Sequence, residues 1–376
     1  MGAARRVARP PRPGGCVAAA HGRRGLRQLG RRAPRPGPRA AARRFGPPPG
    51  VRLHLPRRLG DRTRTRGRAP HRPAQAARVG RGGCARSRAR RGRRFRRCGV
   101  SHTVELDLPL HVVHQPGAGR PLVFLHGFGA NLYTWHAWAP MLAAYDRYLV
   151  DLKGHGRAPA PDDGRYAPAD QAALVHEMIL RLDLRDVTLV GHSMGGGIAL
   201  LTALRLLDGG APHLRGLVLV ASAAYPQRLP PFISIARRGV LARAGFALLP
   251  KRLLMRAVLR AIVHDPASVK DEQVEAYAAP YRDAAHRRAL LATARQLIPD
   301  DLGAWTARFP EIDVPSLLLW GREDRVVPLS VGEALARALP HARLEVLDAC
   351  GHMPPEEMPE ASLAPVLRFL GSQDGG

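Results

Sequence analysis

The chain is predicted to be an α/β protein: a mostly parallel sheet, helices on both sheet faces, and a helical cap inserted after the sixth strand. Three observations lead there. Short apolar runs alternate with amphipathic stretches from about residue 101 onward, the pattern of strands buried on both faces and bridged by helices. A serine flanked by glycines, Gly191-His192-Ser193-Met194-Gly195, follows one of those runs directly and opens a helix-like stretch. Between Ala221 and Ser316 lie about ninety residues with helical patterns and no convincing strand, far more than an ordinary connection needs.

Each element has its own signal. Thr103-Val104-Glu105-Leu106-Asp107-Leu108 alternates as a half-buried strand does, and Leu110-His111-Val112-Val113 reads as its partner. Buried strands are expected at Leu122–Leu125, Tyr148–Leu152, Val187–Val190, Leu217–Ala221, Ser316–Trp320 and Leu344–Leu347. Helical patterns fill Trp135–Ala144, Asp170–Leu182, Met194–Leu207 and Val331–Leu339, and a last helix near Ser362–Leu370 closes the domain. In the long gap, Phe232–Leu249, Arg252–Val263 and Ala284–Leu297 read as helices separated by Pro250, Pro266, Pro280 and Pro299. An insertion at that point stands over the carboxyl ends of the strands, where open α/β sheets bind ligands. The expected division is a core of residues 101–223 and 314–370 with a cap of residues 224–313.

The formal charge of +29 suggests a nucleic-acid partner until it is divided by position. Residues 1–100 carry 31 Arg and one acidic residue, Asp61, whereas the other 276 residues sum to −1. Ala, Arg, Gly and Pro make up 75 of those first 100 residues, too little apolar surface to offset ordering entropy, so the arm is expected to be disordered. It is open to three readings: an Arg-rich arm for RNA or an anionic surface, a transit peptide despite its single serine, or the translation of GC-rich sequence upstream of the true start. The last is favoured, because all four dominant residues have GC-only first two codon positions. A nucleic-acid partner is therefore not expected for the domain itself.

Cys350 is the lone cysteine after residue 100, and no metal-type or disulfide spacing occurs. No apolar run reaches membrane-span length, so a cytoplasmic protein without a transmembrane segment is expected. Neither a metal nor an organic cofactor is called for by any motif.

Ser193 carries the chemistry. A tight strand-to-helix turn, with small residues either side, lifts its hydroxyl above the sheet. Serine is a poor nucleophile at neutral pH and needs an imidazole to take its proton. His352, in Asp348-Ala349-Cys350-Gly351-His352-Met353-Pro354, follows the last strand; Asp324, in Gly321-Arg322-Glu323-Asp324, follows the one before. The order Ser…Asp…His, each at a strand's carboxyl end, makes Asp324 the group that orients His352. In Leu125-His126-Gly127-Phe128-Gly129, the glycines let the loop's amides face a pocket. The backbone N–H groups of Phe128 and Met194 are the expected oxyanion donors, and Gly127, Phe128 and Met353 the expected substrate contacts. His126, His155 and His192 are expected to support these loops without transferring protons. Trp135 and Trp138 are expected in packing, and Cys350 as a small buried hydrophobe.

These motifs, together with Asp151-Leu152-Lys153-Gly154-His155-Gly156, resemble the α/β-hydrolase superfamily over about Thr103 to Leu370. The resemblance implies the α/β-hydrolase fold and a serine hydrolase that forms an acyl-enzyme on carboxylic esters or thioesters. Within the superfamily the chain looks most like small bacterial carboxylesterases with a helical cap, including those acting on acyl-carrier-protein methyl esters. It also resembles cofactor-free haloperoxidases (perhydrolases) and hydrolases of carbon–carbon bonds, so these chemistries stay open on the same triad. A serine at the elbow sets it apart from haloalkane dehalogenases and epoxide hydrolases, which have aspartate there. A non-catalytic binding protein on this scaffold is a further reading, disfavoured because the triad is complete. Nine Lys or Arg and no acid occur between Gly209 and His264; a solvated face is the simpler reading, and docking of an acyl carrier protein or other anionic surface the sharper one.

Overall fold

The computed structural model describes residues 101–210, 213–237, 245 and 249–374. The readings of residues 1–100, and Arg238 and Arg243 of the basic run, lie outside the described residues. Eight strands form one sheet in the order β1-β2-β4-β3-β5-β6-β7-β8: β1 His102–Val104, β2 His111–Gln115, β3 Pro121–Leu125, β4 Asp146–Asp151, β5 Val187–His192, β6 Leu214–Val220, β7 Ser316–Gly321 and β8 Ala342–Leu347. β2 runs antiparallel to β1 and β4, and every other pairing is parallel.

The side-chain period of two decides what lies on each face. Leu122 and Phe124 of β3 join Val190, Val218, Val220, Leu317 and Leu319 in one buried layer. Val123 and Leu125 join Leu189, Leu217, Leu219, Leu318 and Trp320 in the other. The helices Pro168–Arg181 and Met194–Asp208 cover this second face. The first is covered by Trp135, Trp138 and the closing helix Pro359–Asp374. Continuous apolar runs are therefore required in the central strands, since no face meets water.

Two elements before β4 differ from expectation. The edge strand stops at Val104 and does not continue to Leu108; Val104 pairs with Val112, so the chain between them must reverse, and Pro109 lacks a donor for a ladder there. The stretch Trp135–Ala144 is broken into a 3-10 turn, Leu132–Trp135, and a single helical turn, Trp138–Met141. Pro140 falls inside it and clashes with the carbonyl four residues back, so no continuous helix forms. Both tryptophans are fully buried in the core, away from the ligand cavities.

Between β6 and β7 the described residues are helical: Pro231–Ala236, Lys251–Ile262, Asp271–Ala278, Ala284–Gln296 and Leu302–Ala307, with short 3-10 turns among them. The helix Asp271–Ala278 has no counterpart in the sequence reading. It buries only Gln273, Val274, Tyr277 and Ala278, too short an apolar stripe to stand out. Its acids answer part of the basic run. Arg252 lies 3.4 Å from Glu275 and 3.9 Å from Asp271, and Arg256 also pairs with Asp271. No helix among the described residues is long and apolar enough to cross a membrane.

Candidate active site

The sheet order sets the problem the loops must solve. Phe128 follows β3 and Ser193 follows β5, and these strands are neighbours. Asp324 follows β7 and His352 follows β8, two and three strands away from β5. The histidine loop must therefore fold back across the sheet's carboxyl edge.

Ser193 adopts φ 54°, ψ −120°, a conformation costing a non-glycine residue about 1–3 kcal/mol. It is held there by its own N–H donating to Val220 O (2.9 Å) and its carbonyl accepting from Ala223 N (3.0 Å). The flanking glycines allow the turn to sit against its neighbours. A Cβ at Gly195 would lie 2.2 Å from Leu125 O, and one at Gly191 2.5 Å from Gly195 O. Neither position tolerates a side chain without moving backbone.

His352 Nε2 lies 2.9 Å from Ser193 Oγ, and His352 Nδ1 lies 2.8 Å from Asp324 Oδ2. The other oxygen of Asp324 accepts from Val326 N (2.8 Å) and Val327 N (2.9 Å), which fixes the carboxylate's orientation. Because the carboxylate accepts, Nδ1 carries the proton and Nε2 is free to accept from the serine. His352 and Asp324 are both buried, so this geometry is shielded from competing water. Gly127, Phe128 and Met353 line one cavity together with Ser193 and His352. Met194 is the first residue of its helix, where N–H groups have no partner within the helix. Among the described residues neither its N–H nor that of Phe128 donates to an acceptor.

Three further histidines brace the loops. His126 Nδ1–H donates to Gly127 O (2.8 Å), and its Nε2 accepts from Leu152 N (3.1 Å), tying the β3 loop to the end of β4. His192 Nε2–H donates to the carbonyl of His352 at 2.8 Å, tying elbow to histidine loop. Burial holds His126 well below its ordinary range, His155 down at about 4 and His192 at about 3. All three are neutral at physiological pH, which suits bracing and not proton transfer. Burial pushes the Cys350 thiol up, well away from thiolate chemistry.

One residue escaped the sequence reading. Glu357 gathers three backbone donors on its carboxylate: Gly351 N (2.9 Å), Met353 N (2.8 Å) and His264 N of the cap (2.7 Å). The N–H of His352 itself donates to Ile262 O at 2.9 Å. The residues on either side of the imidazole are thus clamped, and the clamp reaches the cap. Glu323 does similar work from the acid loop, accepting from Cys350 N at 3.0 Å. Adjacent Glu356 and Glu357 in a polar stretch carry no sequence signal of this role. Among the described residues no cluster of His, Cys, Asp and Glu is placed to hold a metal ion.

Residues 120–359 match the family model described as alpha/beta hydrolase fold. An uncharacterized hydrolase, YugF, of Bacillus subtilis (strain 168) is 31% identical over 269 residues, covering 68% of this chain and 92% of that protein. A 2-hydroxymuconate semialdehyde hydrolase of Pseudomonas sp. (strain CF600) is 30% identical over 269 residues, covering 70% of this chain and 90% of its own. Among solved structures, an alpha/beta hydrolase fold protein from Burkholderia ambifaria superposes with a TM-score of 0.60 at 28% identity, covering 71% of this chain and 100% of that one.

Proposed function

The chain belongs to the α/β-hydrolase family, and on that premise we propose that this hydrolase is a serine enzyme cleaving carboxylic esters or thioesters through an acyl-enzyme. The observation that carries the reading is the relay from Ser193 Oγ through both nitrogens of His352 to Asp324, at 2.9 and 2.8 Å, on a strained elbow.

Ser193 Oγ attacks the acyl carbon while His352 Nε2 takes its proton. Asp324 holds the tautomer and stabilises the imidazolium that forms. The oxyanion of the tetrahedral intermediate is met by the N–H groups of Phe128 and Met194, each such donor contributing about 3–4 kcal/mol to the transition state. On collapse, His352 gives its proton to the leaving oxygen or sulfur. Water then attacks the acyl carbon as it loses a proton to His352, and on collapse His352 returns that proton to Ser193 Oγ as the bond to the acyl group breaks and the acid leaves. Every proton in this cycle moves through His352, and every step uses groups of the chain itself.

Carbon–carbon cleavage on the same triad is the second reading, favoured by the relative named for 2-hydroxymuconate semialdehyde. That substrate bears a carboxylate, which a buried site pairs with a cation. The described residues lining the two cavities that reach Ser193 include no Lys or Arg. This lining supports an ester that is apolar beside Ser193 over a diene whose carboxylate lies there; Lys251 lines only the third space, which shares Phe128 and Met255 with the second. The proposal does not extend to a carrier-protein partner, because Arg252 and Arg256 are engaged by Asp271 and Glu275.

The test is Ser193→Ala, assayed on a short-chain p-nitrophenyl ester with the fold checked by circular dichroism. Hydrolysis is expected to fall by about 10⁴-fold or more. A well-folded variant that retains full activity contradicts the reading.

A further inference from the structure

Ser193 sits where two apolar chambers meet. The first, about 860 Å³ with its open mouth, is lined by Ser193 and Met194 and has Leu297, Ile298, Leu302 and Trp305 among its other walls. The second, about 490 Å³, is walled by Ser193, His352 and Met353 and by Met255, Val258 and Leu259 of the helix Lys251–Ile262. A third space of about 930 Å³ shares Phe128, Phe232, Met255 and Val258 with the second and has Lys251 among its other walls. His352 lines the second chamber and not the first.

That asymmetry decides which part of a substrate goes where. The tetrahedral carbon carries four groups: Ser193 Oγ, the oxyanion, the leaving oxygen and the acyl chain. The oxyanion is directed to Phe128 and Met194. The leaving oxygen has to take its proton from His352 Nε2, so it departs on the side that His352 lines. The acyl chain is left with the other side.

We infer that the first chamber receives the acyl chain and the second the alcohol arm, which makes the substrate class an ester whose two arms are apolar beside the scissile bond. The inference rests on the serine-ester reading and adds to it which walls set which specificity. Leu302 and Ile298 limit the acyl chain; Val258 and Met255 limit the alcohol.

The test compares kcat/KM on three esters: methyl acetate, methyl decanoate and decyl acetate. Leu302→Trp is expected to lower the ratio of methyl decanoate to methyl acetate by about ten-fold or more, while the ratio of decyl acetate to methyl acetate holds within about two-fold. Val258→Trp is expected to do the reverse. Ile298→Trp and Met255→Trp repeat the two arms, should either first variant melt at a much lower temperature than the parent. Exchanged effects, or both ratios falling together in properly folded variants, overturn the assignment. If the parent enzyme hydrolyses none of the three esters, the serine-ester reading fails and takes the assignment with it. If it turns over methyl acetate, the ratios judge the chambers alone.

Discussion

The sheet and the cap divide the work differently. Ser193, Asp324 and His352, and Phe128 and Met194 beside them, stand just past the ends of sheet strands, and the three members of the relay are each tied by backbone hydrogen bonds. The described residues of the cap place no titratable group within the relay; they supply mostly apolar chamber walls and several polar ties. Four of those ties reach the segment of the histidine loop, and others reach Asn131, Thr134, Tyr166, Ala158 and Gly164. Ile262 O accepts from His352 N, His264 N donates to Glu357, and Tyr277 and Gln273 donate to Glu356. On the proposed reading the core holds the chemistry, whereas a helical cover decides what reaches it. The cover's position is registered on the histidine loop. The division can be broken at four places.

The largest effect belongs to the core. Asp324→Asn keeps the shape but presents a donor where His352 Nδ1–H needs an acceptor, so the imidazole is held in the wrong tautomer. Turnover of a short ester is expected to drop by about 10⁴-fold with little change in KM. A drop of less than ten-fold would place the orienting acid elsewhere.

Next comes the clamp that joins the two regions. Glu357→Gln retains the size but lowers the charge that three backbone N–H groups converge on, freeing Gly351, Met353 and His264 to shift. An expected loss of about 10–100-fold in kcat, larger than any change in KM, separates displacement of His352 from damage to the chambers. A purely structural role would lower the melting temperature and leave the kcat of the folded enzyme alone.

The third test reads the cap–core seam by pH. Packing around Glu356 pushes its carboxyl from 4.5 up to about 8; the bonds from Tyr277 and Gln273 pull it down and Glu357 adds to the rise. The fold therefore keeps a proton that the unfolded chain has lost. Stability then declines as pH rises from about 4.5 to about 8 and is flat above, as far as this group is concerned. Glu356→Gln mimics the protonated acid and removes that slope. Its melting temperature is expected to match the parent near pH 4.5 and to exceed it by several degrees at pH 8. A constant gap across that range would show that Glu356 does not titrate in the seam.

The smallest effect is expected on the cap's outer face. Arg252→Ala removes exposed ion pairs to Asp271 and Glu275, contributions of about 1 kcal/mol or less. Thermal melts and kinetics on a small ester should both stay close to the parent. A marked rise in KM for a large anionic ester alone would restore the docking role suggested by the basic run.

The same division explains what could be read without the structure. Strand positions followed from alternation and apolar runs, because the sheet's burial on both faces leaves its mark residue by residue. Ser193, Asp324 and His352 stood out because each needs a short local context: a glycine-flanked turn, or a polar loop just past an apolar strand. Glu357 and the chamber walls had no such context. Their roles come from where the cap's chain lies against the core, a long-range fact that no window of ten residues contains. Aromatic spacing reads the core and not the cavity. Trp135 and Trp138 lie in the core, whereas Trp305, in an unremarkable stretch of cap, faces the first chamber.

The central claim is that Ser193 becomes covalently acylated. Mixing the enzyme with p-nitrophenyl acetate, quenching in acid within the first turnover and mapping by mass spectrometry tests it directly. The expected result is one acetyl group on the peptide that contains Ser193, absent in Ser193→Ala. Steady ester turnover with no acetyl on that peptide, or with acetyl on another residue, would contradict the account.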